Sequence, residues 1–213
     1  MRVEVPEGGI KQPRQYSLSQ AANGNELRIS VKCESEREAF AAGYVSNTLH
    51  EHVPEGDVLE LSNPNGDFVL NSADKANVFI SAGVGITPMM AMLGQVAAHN
   101  MPKATSFIHA CRDEHSLSMS EAVAAIKQRF PQLQTYLACE TQPETDLDVQ
   151  TIGRLNLQTV GAELLPREAD YYVCGPVGFM QVQYQSLLGL GIAPEQIHME
   201  AFDTGGIAAV TAA

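Results

Sequence analysis

Two rhythms of apolar residues divide the chain. Up to about residue 70, apolar positions alternate with polar ones over short spans separated by turns. Glu26–Lys32 sets Leu27, Ile29 and Val31 on one side and Arg28, Ser30 and Lys32 on the other, the period-two pattern of a half-buried strand. Asp57–Leu61 repeats the alternation after a Gly56-Asp57 turn, and Asn65-Gly66-Asp67 marks another turn. RVEV at 2–5 reads as a further strand, and Val45, Leu49 and Val53 share one face of a short helix starting near Tyr44. An antiparallel barrel or sandwich is the expected architecture.

From Lys75 onward the apolar runs become continuous and alternate with helical periods. NVFISA (77–82) reads as a strand buried on both faces, and SFIHAC (106–111), TYLACE (135–140), YYVCG (171–175) and QIHMEAF (196–202) read as further strands. Helices are expected at about 88–99, after Ser118 with Glu121 as a capping box, more weakly near 156–165, and near 177–189. Five strands separated by helices imply a parallel, doubly wound α/β sheet with right-handed crossovers. The expected units are 1–73 and 74–213, with the boundary near 72–75. The Ala-rich end is expected to be a frayed tail.

Composition narrows the partners. The 213 residues carry a net charge of −12, with 45% hydrophobic and 18% charged residues. An acidic surface repels phosphate backbones and anionic lipid, which argues against nucleic acid and membrane. No run approaches the ~20 apolar residues of a membrane span, and no signal peptide is evident. Cys33, Cys111, Cys139 and Cys174 are widely spaced and form no C-x-x-C pair, so neither a zinc site nor a disulfide framework is expected. A cytoplasmic protein is the resulting expectation. His50-Glu51-His52 does not suggest a metal, because helix geometry points these side chains in different directions.

The chemistry concentrates in loops. Gly83-Val84-Gly85-Ile86-Thr87-Pro88 follows the first buried strand directly. Its glycines permit a sharp turn and close approach of a ligand, Thr87 can cap the next helix, and Pro88 suits its first turn. The helix then aims free N–H groups at what lies in front of it, commonly a pyrophosphate. The third glycine of the dinucleotide fingerprint is absent, and an ordinary tight turn is the alternative. Cys174-Gly175-Pro176 ends the fourth strand, and its loop is expected on the same carboxyl edge, where open α/β sheets bind ligands. In the first region Arg14, Gln15, Tyr16 and Ser17 combine a cation, an aromatic ring and a hydroxyl; a solvated edge strand is the alternative. Gly43-Tyr44-Val45-Ser46 is compatible with a phosphate or with a plain helix cap.

Taken in order, RQYSLS (14–19), GYVSNTLH (43–50), GDVLELSNPNGDF (56–68), SAGVGITPMMAML (81–93), YYVCGPVGFM (171–180) and IHMEAF (197–202) resemble the ferredoxin-NADP reductase superfamily. The resemblance is strongest to the C-terminal reductase portion of bacterial flavohaemoglobins, the flavohaemoproteins with nitric oxide dioxygenase activity. It implies a flavin-binding β-barrel over 1–73 and an NAD(P)-binding domain over 74–213. It implies that Arg14 binds the FAD pyrophosphate, with Gln15 beside it. Tyr16 packs on the isoalloxazine, Ser17 hydrogen-bonds near flavin N5, and Val45 and Ser46 add phosphate contacts. Gly83, Val84, Gly85, Ile86, Thr87 and Pro88 cradle the NAD(P) pyrophosphate, and Cys174, Gly175 and Pro176 flank the nicotinamide. Glu200 and Phe202 sit beside the flavin. Ser17, Cys174 and Glu200 form the implied catalytic set.

The same resemblance implies features that the chain does not carry. Relatives have barrel strands upstream of RVEV and a globin before them, and follow the final phenylalanine with Gly-Pro where this chain has Asp203-Thr204. An incomplete barrel with an open strand edge is therefore expected. The implied function is an FAD-dependent NAD(P)H oxidoreductase feeding electrons to a haem globin or another acceptor outside the chain. The alternatives are a non-enzymatic nicotinamide-nucleotide-binding module that has lost its flavin, and a reductase for another soluble carrier. Arg112, Asp113 and Glu114 end the second buried strand and leave NADH and NADPH both open, with the resemblance favouring NADH.

Overall fold

The computed structural model describes residues 1–7, 10–36, 41–71, 75–99, 104–202 and 206–211. Strands β1 (Arg2–Glu7), β2 (Ile10–Gln15) and β3 (Glu60–Leu61) form an antiparallel sheet in the order β2-β1-β3. Helix α1 (Tyr44–Glu51) lies against it, burying Val45 and Ser46. The strand expected at 26–32 does not form. Its backbone makes only an isolated bridge between Leu18 and Ile29, and Leu27 is exposed. Alternation sets which side chains could share a face; a strand also needs a continuous partner, and none of the described segments provides one.

The second region is a six-stranded, all-parallel sheet. Its strands are β4 (Ala76–Ala82), β5 (Thr105–Cys111), β6 (Leu133–Cys139), β7 (Thr151–Ile152), β8 (Ala169–Cys174) and β9 (Ile197–Glu200), in the order β7-β6-β5-β4-β8-β9. Five were expected; the sixth, β7, is two residues long and too short to leave a periodic trace. Helices α2 (Ile86–Ala98) and α3 (Ser120–Arg129) cover one face, burying Phe79, Phe107 and Tyr172 with Met89 and Leu93. Helices α4 (Val177–Gly189) and α5 (Gly206–Thr211) lie on the other, over Ile80, Ile108, Tyr171 and Val173. Alternate residues of β4 thus enter two different cores, which is why its sequence reads as unbroken apolar.

Three further expectations are corrected. The segment near 156–165 forms two single 3₁₀ turns, Leu157–Thr159 and Ala162–Leu164, in place of a helix. The Ser118/Glu121 capping box is not made: α3 starts after Met119, which takes a left-handed φ of 60° and gives no side-chain cap. The Ala-rich end is helical, because Val210 is fully buried against the α4 face of the sheet. The boundary at 72–74 and the Asp203-Thr204 departure lie outside the described residues. Among the described residues no helix is long and apolar enough to cross a membrane, and no group of three or more His, Cys, Asp or Glu could hold a metal.

The segment leading into β4 is fastened to the sheet. The Asn71 N–H donates to the Tyr172 hydroxyl (2.9 Å), and Asn71 Nδ2 lies 2.9 Å from His198 Nε2. His198 in turn meets buried Asp170 at 3.3 Å, and Lys75 approaches the same carboxylate at 3.7 Å. Phe68 packs edge-on against the Tyr172 ring.

One buried group makes stability depend on pH. His109 is 2% exposed, stacks on Phe107, and shares a 2.8 Å hydrogen bond between Nδ1 and Ser81 Oγ. Burial pushes its pKa down to about 4. The unfolded imidazole takes up its proton near pH 6.5, so the native state is favoured above that pH. Stability is lost as the pH falls from about 6.5 towards 4, by up to roughly 1.4 kcal/mol per pH unit from this group. Urea midpoints measured across that window should fall less steeply in His109→Asn than in the parent. Equal slopes would refute the assignment.

Candidate functional site

The carboxyl ends of the parallel strands open towards the small antiparallel sheet, and the loops there build the site. After β4 the chain turns through Gly83–Gly85, with Gly83 at a φ of 53° and open space around it. Gly85 is buried against the β8 loop: a Cβ on it would lie 2.2 Å from the Cys174 carbonyl oxygen. Gly85 therefore permits two loops to touch, and Gly83 permits the turn. The first turn of α2 follows, containing Ile86, Thr87 and Pro88. Gly85 is the N-cap, so the expected capping by Thr87 is corrected: its hydroxyl donates back to the Val84 carbonyl at 3.0 Å.

Two adjoining cavities result. The smaller, of about 260 Å³, is lined by Arg14, Gln15, Tyr16 and Ser17 from the end of β2, and by Val45 and Ser46 of α1. Val84, Thr87 and Phe202 complete it from the other region. The larger, of about 1000 Å³, runs along the carboxyl rim past Gly83, Val84, Ile86 and Thr87 to Gly175 and Pro176. It continues to Arg112, Glu140 and Arg154, and shares Val84, Thr87 and Phe202 with the smaller one. The two sets of residues singled out in sequence thus face one continuous cleft. Gly85, Pro88, Cys174 and Glu200 line neither cavity.

At the junction the Ser17 hydroxyl donates to Glu200 Oε2 at 2.8 Å, joining residues 183 positions apart. Cys174, fully buried, neighbours Glu200 in register across β8 and β9. Burial and then the Glu200 charge push the Cys174 thiol well above its ordinary range, so it is a neutral thiol. Burial also raises Tyr16, opposed by the nearby Arg14 guanidinium. The Arg14 side chain is exposed, with Nη1 donating to the Pro13 carbonyl at 3.0 Å.

The far end of the larger cavity differs from the expectation. Asp113 accepts the Ser116 N–H at 2.7 Å and caps a 3₁₀ turn, and Glu114 accepts from the Glu144 and Thr145 N–H groups and the Thr145 hydroxyl. These bonds hold both carboxylates below their usual range. Both are committed to the loops and neither lines the cavity; Glu140 does, with its Oε1 3.6 Å from Arg154 Nε. Gly153 and Arg154 escaped the sequence reading because β7, which places them, is so short. Lys32 and Glu34, which line the smaller cavity, were hidden by reading 26–32 as an alternating strand.

Residues 79–185, half of the chain, match the family model described as the oxidoreductase NAD-binding domain. The chain belongs to that family. This oxidoreductase is 51% identical over 203 residues to a flavohemoprotein of Chromobacterium violaceum, covering 93% of the chain and 50% of the relative. It spans about half the length of the curated relatives it matches. Its fold superposes on the flavohem-like FAD/NAD-binding domain of a Vibrio cholerae nitric oxide dioxygenase with a TM-score of 0.83 and 35% identity, covering 94% of this chain and 82% of that one. A Malassezia yamatoensis flavohemoglobin, determined with bound FAD and heme, gives a TM-score of 0.78 at 25% identity, covering 95% of this chain and 50% of that one. The chain therefore belongs with the flavohem-like FAD/NAD-binding domains, its second region being the oxidoreductase NAD-binding domain.

Proposed function

We propose that this chain is an FAD-dependent NAD(P)H oxidoreductase, the reductase half of a nitric oxide dioxygenase-like system that passes electrons to a haem globin outside the described chain. The observation that carries the reading is the shared cleft: Arg14–Ser17 and Val45–Ser46 face Val84, Thr87 and Phe202 across one cavity, which runs into a second along the sheet rim.

The residues present suit both cofactors. Arg14 offers charge-assisted donors to a pyrophosphate, Tyr16 a flat ring for an isoalloxazine, and the first turn of α1, which has no side-chain cap, a helix N-terminus for phosphate. The open backbone at Gly83 and the start of α2 suit the pyrophosphate of NAD(P)H. A flavin held by these residues would supply the conversion of two-electron hydride chemistry into single-electron release. The protein's task is then positioning. Gly175 and Pro176 form a wall for the nicotinamide, and Phe202 covers the flavin site. The Ser17 hydroxyl, its proton donated to Glu200, would present a lone pair to the ring edge. The four cysteines are free thiols, in keeping with a reducing compartment, and a cytoplasmic location is part of this reading.

Titration with FAD, followed by fluorescence quenching, tests the reading. One equivalent should bind saturably and give a yellow protein that NADH bleaches and ferricyanide restores. A protein that stays colourless and cannot be reconstituted would instead be a nucleotide-binding module. Removing the guanidinium in Arg14→Ala should weaken FAD by about 10- to 100-fold, the worth of a charge-assisted hydrogen bond of roughly 1.5–3 kcal/mol.

A further inference from the structure

Two thiols at the rim of the larger cavity are not used by the chemistry above. Cys111 ends β5 and Cys139 ends β6, and the two are register partners in parallel strands, so their side chains leave the same face of the sheet. Each thiol reaches across to the other strand. Cys111 Sγ donates to the Ala138 carbonyl at 3.7 Å, and Cys139 Sγ to the Arg112 carbonyl at 3.8 Å. Both are buried, at 7% and 0% exposure, yet Cys111 lines the larger cavity and so has an opening to it.

We propose that Cys111 and Cys139 form a two-coordinate site for a soft monovalent cation of the Cu(I) class, entered from the cavity. The spacing favours an ion over a disulfide. Neighbouring strands lie about 4.8 Å apart, so Cβ atoms of parallel register partners sit at about that distance. A disulfide needs them within roughly 3.5–4.5 Å. Same-face register partners that project in parallel carry their sulfurs at about the same spacing, which two in-line metal–thiolate bonds of roughly 2.3 Å, about 4.6 Å in all, would span. Thiolate pairs select Cu(I) over harder ions, and the absence of a third ligating side chain among the described residues suits a linear site.

Burial and the neighbouring Cys139 thiol push Cys111 up to about 12, so the thiol is protonated at neutral pH and a poor nucleophile. Binding is therefore an exchange. Two S–H bonds break, two S–Cu bonds form, both protons leave to solvent, and copper enters and remains as Cu(I). The product carries one negative charge near the Asp113 and Glu140 carboxylates, which also raise Cys111; Arg154 pairs with Glu140, and Arg112 lines the same cavity to oppose the charge.

The test is an anaerobic Cu(I) titration of the Cys33→Ser protein against bathocuproine disulfonate, which removes the exposed thiol from the count. One Cu(I) per chain should be withheld from the chelator, and Cys111→Ser or Cys139→Ser in the same background should abolish the retention. No retained copper in the Cys33→Ser protein, or equal retention in the folded double variant, overturns the proposal. Should the substitutions unfold the chain, the copper X-ray absorption spectrum of the Cys33→Ser protein decides: two sulfur neighbours support the site, and any nitrogen, oxygen or third sulfur neighbour refutes it. The readout needs neither flavin nor nicotinamide.

Discussion

Alanine at position 85 should cost about 3 kcal/mol of stability and remove NADH-dependent ferricyanide reduction. The added Cβ would fall 2.2 Å from the Cys174 oxygen, 2.4 Å from its carbonyl carbon and 2.7 Å from the Gly175 nitrogen. All three are backbone atoms, so no rotamer change relieves the clash. The loop after β4 must separate from the loop after β8, and both shape the larger cavity. Overpacking of this kind costs about 1–3 kcal/mol and sometimes more. Gly83→Ala supplies the contrast. Its Cβ would meet nothing within 4 Å, so only the cost of a φ of 53° remains, roughly 1–2 kcal/mol. Urea denaturation should rank the variants Gly83→Ala above Gly85→Ala. The reverse order would show that the contact between the loops is not tight in solution.

Removing the hydroxyl at Ser17 should slow flavin reduction by NADH about 100-fold, near the lower bound for a preorganised hydrogen-bonding group aimed at a transition state. The Ser17 Oγ–Glu200 Oε2 hydrogen bond, 2.8 Å long, joins the end of β2 to the end of β9. Both residues are partly exposed, so the cost in stability should be small. Glu200→Gln keeps an acceptor and loses the charge, and should fall between the parent and Ser17→Ala. Stopped-flow bleaching of the flavin separates this step from acceptor turnover, and the KM for NADH should change less than kcat. A parent-like bleaching rate in Ser17→Ala would remove the hydroxyl from the chemistry.

How much of this was legible beforehand depends on where each element draws its stability. β4 and β8 are buried on both faces, so their unbroken apolar runs announce them, and α4 begins and ends where its period says. β7 holds two residues and has no period to read. Glu26–Lys32 shows the opposite failure, a good alternation without a continuous partner strand. The left-handed Met119 broke the capping box, since nothing in Ser118-Met119-Ser120 signals a positive φ. In the site, Arg14–Ser17 and Gly83–Pro88 were found through residue types whose chemistry is local. Glu140 and Arg154 were not, because only the folding of β6 beside β7 brings them to one cavity. Asp113 and Glu114 misled for different reasons: Asp113 is taken by the Ser116 N–H three residues on, and Glu114 by Glu144 and Thr145, which lie nearby only after folding.

The Asn71 fastening carries a mechanical consequence. The connector between the two sheets is pinned to Tyr172, on the strand whose far end, at Cys174, abuts the cleft. Any opening of the cleft must therefore leave in place an anchor that lies two residues from Cys174. Such an opening would draw Ser17 away from Glu200 and Phe202 while sparing the Gly85–Cys174 contact, which is internal to the second region, so the entrance can widen without dismantling the cradle behind it.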